Sequence, residues 1–128
     1  MSQENVERLR RAYAGERDPE LLAPDFELHQ SPSIVDTAGI FRGRNALRDV
    51  ARELEESFED LRYEPQKFIE APDGQVVVLI RAQGRGRGSG VEVDNHIAHV
   101  WSYRGNKIVR MVIYEEQADA LEAVGLDL

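Results

Sequence analysis

Apolar residues recur with a helical period in two long segments of the chain. Val6, Leu9 and Tyr13 are separated by charged residues, which predicts an amphipathic helix over residues 2–15. Asn45 is a candidate N-cap for a second helix, in which charged residues fill most of the remaining surface. The apolar stripe of that second helix consists of Leu47, Val50, Leu54, Phe58 and Leu61.

Two shorter segments also favour helical structure. Asp18 can cap a helical turn over residues 18–22, because Pro19 suits the first helical position. Residues 117–124 form a predicted terminal helix, and Gly125 stands at the C′ position, where glycine is common.

β-Branched and aromatic residues dominate the remaining segments, which predicts strands. The predicted strands cover residues 26–30, 63–70, 75–83, 91–103 and 107–115. Residues 32–43 contain proline and glycine without a sustained period and therefore predict a loop. Helices followed by a run of antiparallel strands favour a single α+β domain over residues 1–128. We expect a bent sheet covered by helices, with a pocket at its open end.

The composition excludes several classes of function. With 24 acidic and 16 basic residues, the net charge is −8, which disfavours binding to nucleic acid or to an anionic membrane. The absence of cysteine excludes disulfides, thiolate nucleophiles and cysteine-ligated metals. The longest apolar run, residues 76–80, is far too short to span a bilayer, and residues 1–20 show no signal-peptide pattern. A cytoplasmic location is the expectation.

Six segments, which together extend over nearly the whole chain, show a family resemblance. They are LRRAY, PDFELH, FRGRNALRDV, VVVLIRAQGRGRGSGVEV, HVWSYRGNKIVRM and DALEAVGL. The chain resembles the SnoaL-like branch of the nuclear-transport-factor-2-like superfamily. This resemblance implies a cone-shaped fold, in which a strongly bent, mostly antiparallel sheet carries helices on its concave face around a pocket. Members include polyketide cyclases, ketosteroid isomerases and limonene epoxide hydrolases, so the fold does not select the function.

The resemblance also implies a homodimer and one local difference. Relatives commonly pair through the open face of the sheet. Here Val112 and Tyr114 alternate with Met111 and Ile113, so they would point to that face and make it apolar. Between Tyr13 and Phe26 the chain is several residues shorter than relatives, which usually have a longer second helix there. That difference implies an altered lid over the pocket.

Tyr13 and His29 are candidates for chemistry near the N-terminus. In steroid-isomerase relatives a tyrosine placed like Tyr13 donates a hydrogen bond to a developing oxyanion, although a plain core aromatic residue is the simpler interpretation. A histidine at position 29 could shuttle a proton to or from a ligand. Alternation from Leu28 would turn His29 outward and Gln30 inward, whereas a strand-end bulge would reverse this, and both orientations stay open.

The last two strands supply further candidates. His99 shares the parity of Trp101 and, by the resemblance, falls where relatives have an acidic or histidine pocket residue. It is preferred over His96, which has the opposite parity; a satisfied interior histidine or a dimer-interface group is the alternative. Met111 and Ile113 fall where cyclase relatives carry a polar residue and the catalytic aspartate. Because Ile113 cannot transfer a proton, cyclase chemistry of that type is not expected.

Neither a metal nor a cofactor is expected. His96 and His99 lie three residues apart on a predicted strand and point to opposite faces, so a shared metal would need a bulge. The GRGRGSG segment, residues 84–90, suggests a phosphate loop or an arginine–glycine nucleic-acid motif. However, a strand rather than a helix follows it, and the net charge is negative. Bulges or a bend in the sheet are the favoured interpretation.

Three functional hypotheses remain. The first is a protein that binds a small apolar carbonyl or hydroxyl compound, such as a polyketide, steroid-like or terpenoid molecule. If it is an isomerase, cyclase or hydrolase, His99 or His29 would act as the base and Tyr13 as the hydrogen-bond donor. The ligand-contacting residues of this hypothesis are Gln30, Phe58, Trp101, Met111 and Ile113. The second hypothesis is a non-catalytic binding module, and the third is a structural dimer whose cone is filled by side chains.

Overall fold

Six strands form one curled, unclosed sheet in the computed structural model, which describes residues 2–30 and 40–126. The strands are β1 (Leu22–Gln30), β2 (Ile40–Arg42), β3 (Phe58–Glu70), β4 (Val76–Gly86), β5 (Glu92–Arg104) and β6 (Lys107–Tyr114). Their spatial order is β2-β1-β6-β5-β4-β3, and only the β1–β6 pair is parallel. The described helices are α1 (Ser2–Tyr13), α2 (Ala46–Ser57) and α3 (Gln117–Ala123). The predicted α+β class and mostly antiparallel sheet are confirmed.

Alternation along the strands gives the sheet two apolar faces. On the face that we call inner, Val76 and Val78 of β4 are fully buried in a cluster that α1 and α2 cover. On the outer face, Val77 and Val100 are buried with residues of α3, including Ala120. The helices predicted on the concave face are therefore α1 and α2, whereas α3 lies on the opposite side. Among the described residues, no helix is long and apolar enough to cross a membrane.

β3 forms one edge of the sheet and, within the described residues, pairs only with β4. Its register shifts twice, first between Glu59 and Arg62 and again between Pro65 and Lys67. Asp60, inside the first irregularity, has a φ of 54°, a left-handed conformation that aspartate tolerates better than most residues. These bulges bend the strand and change which side chains face inward.

The glycine-rich segment continues β4 and then turns into β5. A Cβ at Gly84 would lie 3.1 Å from the Cα of Leu61, so glycine permits the close approach of the bulged β3 backbone. Gly88 and Gly90 have φ values of 83° and 70° in the turn that follows. Gly84 therefore relieves crowding at a bulge, as predicted, whereas residues 87–89 form a turn that was not predicted.

The predicted second helix is too long at its C-terminal end. Asn45 occupies the N-cap position, although its side chain makes no capping hydrogen bond. The helix ends at Ser57, and Phe58 has extended backbone angles. Phe58 and Leu61 belong to β3, where pairing of Phe58 with Gly86 replaces further helix. The prediction was wrong because apolar residues around a bulge can imitate a helical period.

Two predicted segments near the N-terminal third also differ. Residues 18–22 form no helix: the amide of Leu21 bonds the carbonyl of Asp18 in a single turn, and β1 begins at once. Pro24 lies where the β1–β6 register is irregular, so its missing N–H is tolerated. Of the predicted loop over residues 32–43, residues 40–42 form β2 instead, while residues 31–39 lie outside the described part of the chain.

Candidate functional site

Helix α1 holds Tyr13 against the inner face of the sheet. Near the start of the helix, the Asn5 side-chain amide donates to the carbonyl of Gly105, at a distance of 3.3 Å. One turn further on, Arg8 donates to the Asp18 carboxylate at 3.0 Å. These contacts tie the helix to the β5–β6 turn and to the segment before β1. They fix its rotation, and Tyr13 on the last turn is aimed at β5.

Three side chains form a hydrogen-bonded row at this position. The indole Nε1 of Trp101 donates to the Tyr13 hydroxyl at 2.9 Å, and that hydroxyl lies 2.6 Å from Nδ1 of His99. His99 and Trp101 stand two residues apart on β5, on the inner face that their parity predicts, and are only 6% and 4% exposed. Phe68 packs edge-on against the Tyr13 ring at 5.6 Å. We call the three hydrogen-bonded side chains, Tyr13, His99 and Trp101, the aromatic row.

The aromatic row forms one wall of a cavity of about 220 Å³ between α1, α2 and the sheet. Met111 and Ile113 of β6 and Val50 of α2 contribute apolar parts of its wall. No charged side chain of the described residues lines it. The lining side chains that carry a nitrogen or oxygen atom are four aromatic ones: Tyr13, Tyr63, His99 and Trp101. We call this cavity the deep chamber.

A second cavity of about 150 Å³ adjoins the deep chamber, and we call it the outer chamber. Three residues line both: Leu54, Tyr63 and Ile113. The outer chamber is more polar, because Gln30, Asn95 and Glu115 contribute to its wall beside Phe58. Two of the predicted ligand-contacting residues, Gln30 and Phe58, are therefore in the outer chamber. The other three, Trp101, Met111 and Ile113, are in the deep one.

Burial sets the charge state of the aromatic row. It lowers the pKa of His99 from 6.5 to about 3, and within the described part of the chain no charged side chain opposes the effect. It also raises the pKa of Tyr13 far above its usual value, although the hydrogen bond from Trp101 acts in the opposite direction. Both side chains are consequently neutral near pH 7, so the row can donate and accept hydrogen bonds without carrying charge.

His29 lies outside this site. Phe26 and Leu28 are fully buried on the inner face, and alternation turns His29 to the outer face. There its Nε2 lies 2.8 Å from Oε1 of Glu27, and the other oxygen of that carboxylate, Oε2, accepts a bond from Arg42 Nε at 3.3 Å. The structure does not bring His29 to the pocket, so a role as base there has no geometric support.

The three histidines do not come together at one place where they could share a metal ion. His96 is exposed and pairs with Arg81 on β4, whereas His99 faces inward. Over residues 2–30 and 40–126, no group of three or more histidine, aspartate and glutamate side chains is placed to hold a metal ion.

Tyr63 is a wall residue that the sequence did not single out. It pairs with Ala82 and faces inward, as does Phe68 five positions later. An odd spacing would normally place the two on opposite faces. The register shift between Pro65 and Lys67 restores the same face for both. Proline inside a strand was the available signal for that bulge.

The curled sheet, its inner helices and the cavity between them define the nuclear-transport-factor-2-like class of fold. Residues 6–111 match the SnoaL-like domain, and the chain belongs to this family. The membership that the sequence motifs predicted is thus confirmed. No curated protein matches the sequence.

Solved structures show the same fold. A nuclear-transport-factor-2-like protein of Burkholderia thailandensis is 24% identical, covers 93% of this chain and 95% of its own, and has a TM-score of 0.73. TerC, co-crystallized with polyporic acid, is 23% identical over 94% of this chain and 96% of its own, with a TM-score of 0.69. A Catenulispora acidiphila protein with a ketosteroid isomerase-like fold, in complex with trimethylamine, is 20% identical over 97% and 94%, with a TM-score of 0.66.

Proposed function

We propose that this protein binds a small apolar molecule in the deep chamber, with a carbonyl or hydroxyl oxygen of the ligand against the aromatic row. Polyketide, steroid-like and terpenoid compounds have this chemistry. The observation that carries the proposal is a hydrogen-bonded polar row set into an otherwise apolar cavity of about 220 Å³. A few oriented polar groups within apolar walls are typical of small-molecule sites.

The open volume favours ligand binding over a purely structural module. A cone filled by side chains would leave no cavity, whereas here the two chambers measure about 220 and about 150 Å³. Joined at their shared wall, they fall in the lower part of the roughly 300–1,000 Å³ range of ligand pockets. The size suits a compact ligand. The complex of TerC with polyporic acid supports a small organic molecule as the ligand class.

Cavity occupation can be tested with the single tryptophan, because Trp101 lines the deep chamber. We expect 2-acetylnaphthalene to change its fluorescence saturably, and native mass spectrometry of freshly purified protein to show a co-purified molecule. Ile113→Phe, which fills the chamber, should weaken probe binding at least about tenfold. Val112→Phe is the matched control, because the next residue of β6 faces outward. Equal effects of the two substitutions, or no binding, would overturn the proposal.

Cofactor-free acid–base catalysis is the second candidate function. The favouring observation is Glu115, a carboxylate in the wall of the outer chamber, which meets the deep chamber at Ile113. A ligand spanning both chambers would have an oxygen near His99 and a C–H bond toward the carboxylate. For any substrate found, Glu115→Gln should abolish turnover, and His29→Gln should leave it unchanged. The opposite pattern would restore His29 as the base and remove Glu115.

Homodimer formation stays a prediction. On the outer face, α3 covers Val100 and Tyr114 packs with the same cluster, which leaves less of the apolar face for a partner. Val112 is half-buried beside Val100. Light scattering at micromolar concentration distinguishes a dimer from a monomer.

A further inference from the structure

We infer that His99 presents its Nε2–H to the deep chamber as a hydrogen-bond donor, so that the ligand must supply an acceptor oxygen there. In this arrangement Tyr13 is a positioning residue, which orients the imidazole and selects its tautomer. The part of the inference that concerns the ligand rests on the proposed function. The part that concerns the tautomer stands on the protein alone.

The direction of each hydrogen bond in the aromatic row follows from donor chemistry. An indole N–H can only donate, so the Tyr13 oxygen accepts from Trp101 at 2.9 Å. The phenolic hydrogen then needs an acceptor. Among the described residues the acceptor in reach is Nδ1 of His99, at 2.6 Å. We assign the phenolic hydrogen to this contact, so Nδ1 accepts it, and a neutral imidazole then carries its one hydrogen on Nε2.

The position of Nε2 follows from the hydrogen bonds of the protein. No side chain or carbonyl of the described residues bonds this atom, although Nδ1 of the same ring is bonded. Yet no fully buried side-chain nitrogen or oxygen lacks a partner in this part of the chain. The described residues therefore do not enclose Nε2. Since His99 lines the deep chamber, we conclude that Nε2–H is directed into it.

The surroundings of the ring keep it in this state. Tyr13 approaches from α1, Tyr63 from β3 at 5.8 Å between ring centroids, and Trp101 from the same strand at 6.1 Å. None of these groups carries a charge near pH 7, so no described side chain of the wall stabilises an imidazolium ion. Burial holds the pKa of His99 at about 3. The ring thus stays a neutral donor over the physiological range.

This donor sets a rule for the ligand. An N–H group in an apolar chamber is costly when it has no partner, and a ligand carbonyl removes that cost. A ligand whose polar end is an ammonium group would meet another donor and no compensating charge. We therefore expect the chamber to favour ketones, quinones or esters over amines of the same shape.

The tautomer is tested by long-range ¹H–¹⁵N correlation spectra of protein labelled with ¹⁵N-histidine. Comparison with the His29→Gln and His96→Gln variants assigns the His99 signals. We expect Nε2 to resonate as a protonated nitrogen and Nδ1 as an unprotonated one, unchanged between about pH 5 and 9. Tyr13→Phe should move population toward the other tautomer. A protonated Nδ1 in the unaltered protein would overturn the inference.

The ligand rule is tested with two probes of nearly equal shape, 2-acetylnaphthalene and 2-isopropenylnaphthalene, in which a methylene group replaces the carbonyl oxygen. The unaltered protein should bind the ketone about fivefold more tightly, the effect of one hydrogen bond. His99→Asn keeps an acceptor for the Tyr13 hydroxyl but has no N–H at the Nε2 position, and should lose the preference. His99→Gln restores an amide N–H and should recover part of it.

The outcomes separate the two proposals. If neither probe binds, the proposed function fails and the tautomer assignment is unaffected. If both probes bind the unaltered protein equally, the chamber accepts ligands but His99 is not the donor, and this inference fails alone.

Discussion

The buried histidine makes a specific prediction about stability in acid. Because burial lowers the pKa of His99 from 6.5 to about 3, the unfolded chain takes up a proton there at a higher pH than the folded protein does. The stability that His99 contributes is fully present above about pH 6.5. It is lost progressively as the pH falls, until the folded protein is itself protonated near pH 3.

The size of the effect follows from the difference in pKa. Each pH unit below the unfolded pKa costs about 1.36 kcal/mol, so we expect a loss of about 2.7 kcal/mol at about pH 4.5. The limit near pH 3 is on the order of 5 kcal/mol. Both figures are large against the total stability of about 5–15 kcal/mol that is usual for a domain.

Urea unfolding at about pH 7 and 4.5, with the unaltered protein and His99→Asn in parallel, measures this loss. Carboxylates with lowered pKa values, such as Asp18 and Glu27, also lose stability in acid, but both proteins share them. The difference between the two losses in the free energy of unfolding isolates the contribution of His99. Any stability that the variant lacks already at pH 7 cancels. We expect the unaltered protein to lose about 2–3 kcal/mol more than His99→Asn. Equal losses would show that the imidazole is hydrated in the folded state and would refute the reasoning.

Three further predictions concern the surrounding fold. Gly84→Ala should cost about 1–3 kcal/mol in thermal unfolding, because the new Cβ would lie 3.1 Å from the Leu61 Cα; an unchanged melting temperature would contradict the crowded bulge. Arg81→Gln should cost less than about 1 kcal/mol in urea unfolding, since its ion pair with Asp94 is well exposed on both sides, and a larger loss would count against this view. Arg8→Gln should raise the pKa of the neighbouring Asp18 carboxyl toward its ordinary value, because the Arg8 hydrogen bond is the main cause of the lowering. Titration followed by carbon-13 NMR measures this shift, and an unchanged pKa of Asp18 would show that Arg8 is not the cause.

Regular alternation was the part of the site that sequence patterns could predict. On β5 it placed His99 and Trp101 inward, and on β1 it supports Gln30 rather than His29 as the wall residue. Pairing is unbroken from Ala98 to Ser102 on β5 and from Glu27 to Gln30 on β1, so the period of two holds from residue to residue there.

The other features of the site depend on bulges in the strands and on how helix α1 packs against the sheet. Phe58 pairs with Gly86 and so belongs to β3 instead of the predicted helix, and the bulges of β3 turn Tyr63 toward the cavity. The contact between Tyr13 and His99 joins residues 86 positions apart, and it exists because α1 docks on the sheet in one rotation. No local pattern records that docking. The sequence could therefore indicate which residues face inward on regular strands, but not which of them bond to each other.

The irregular backbone of β3 hinders edge-to-edge association between molecules of this protein. A thirteen-residue strand at the rim of an unclosed sheet would ordinarily offer a long template on which another polypeptide could add. Two register shifts interrupt this edge, as do Pro65 and the left-handed Asp60. The backbone N–H and C=O groups of β3 therefore do not form one regular row that a partner strand could match. The same distortions that shape the cavity wall thus guard the domain against edge-to-edge aggregation, and a fold with an open rim can stay dispersed.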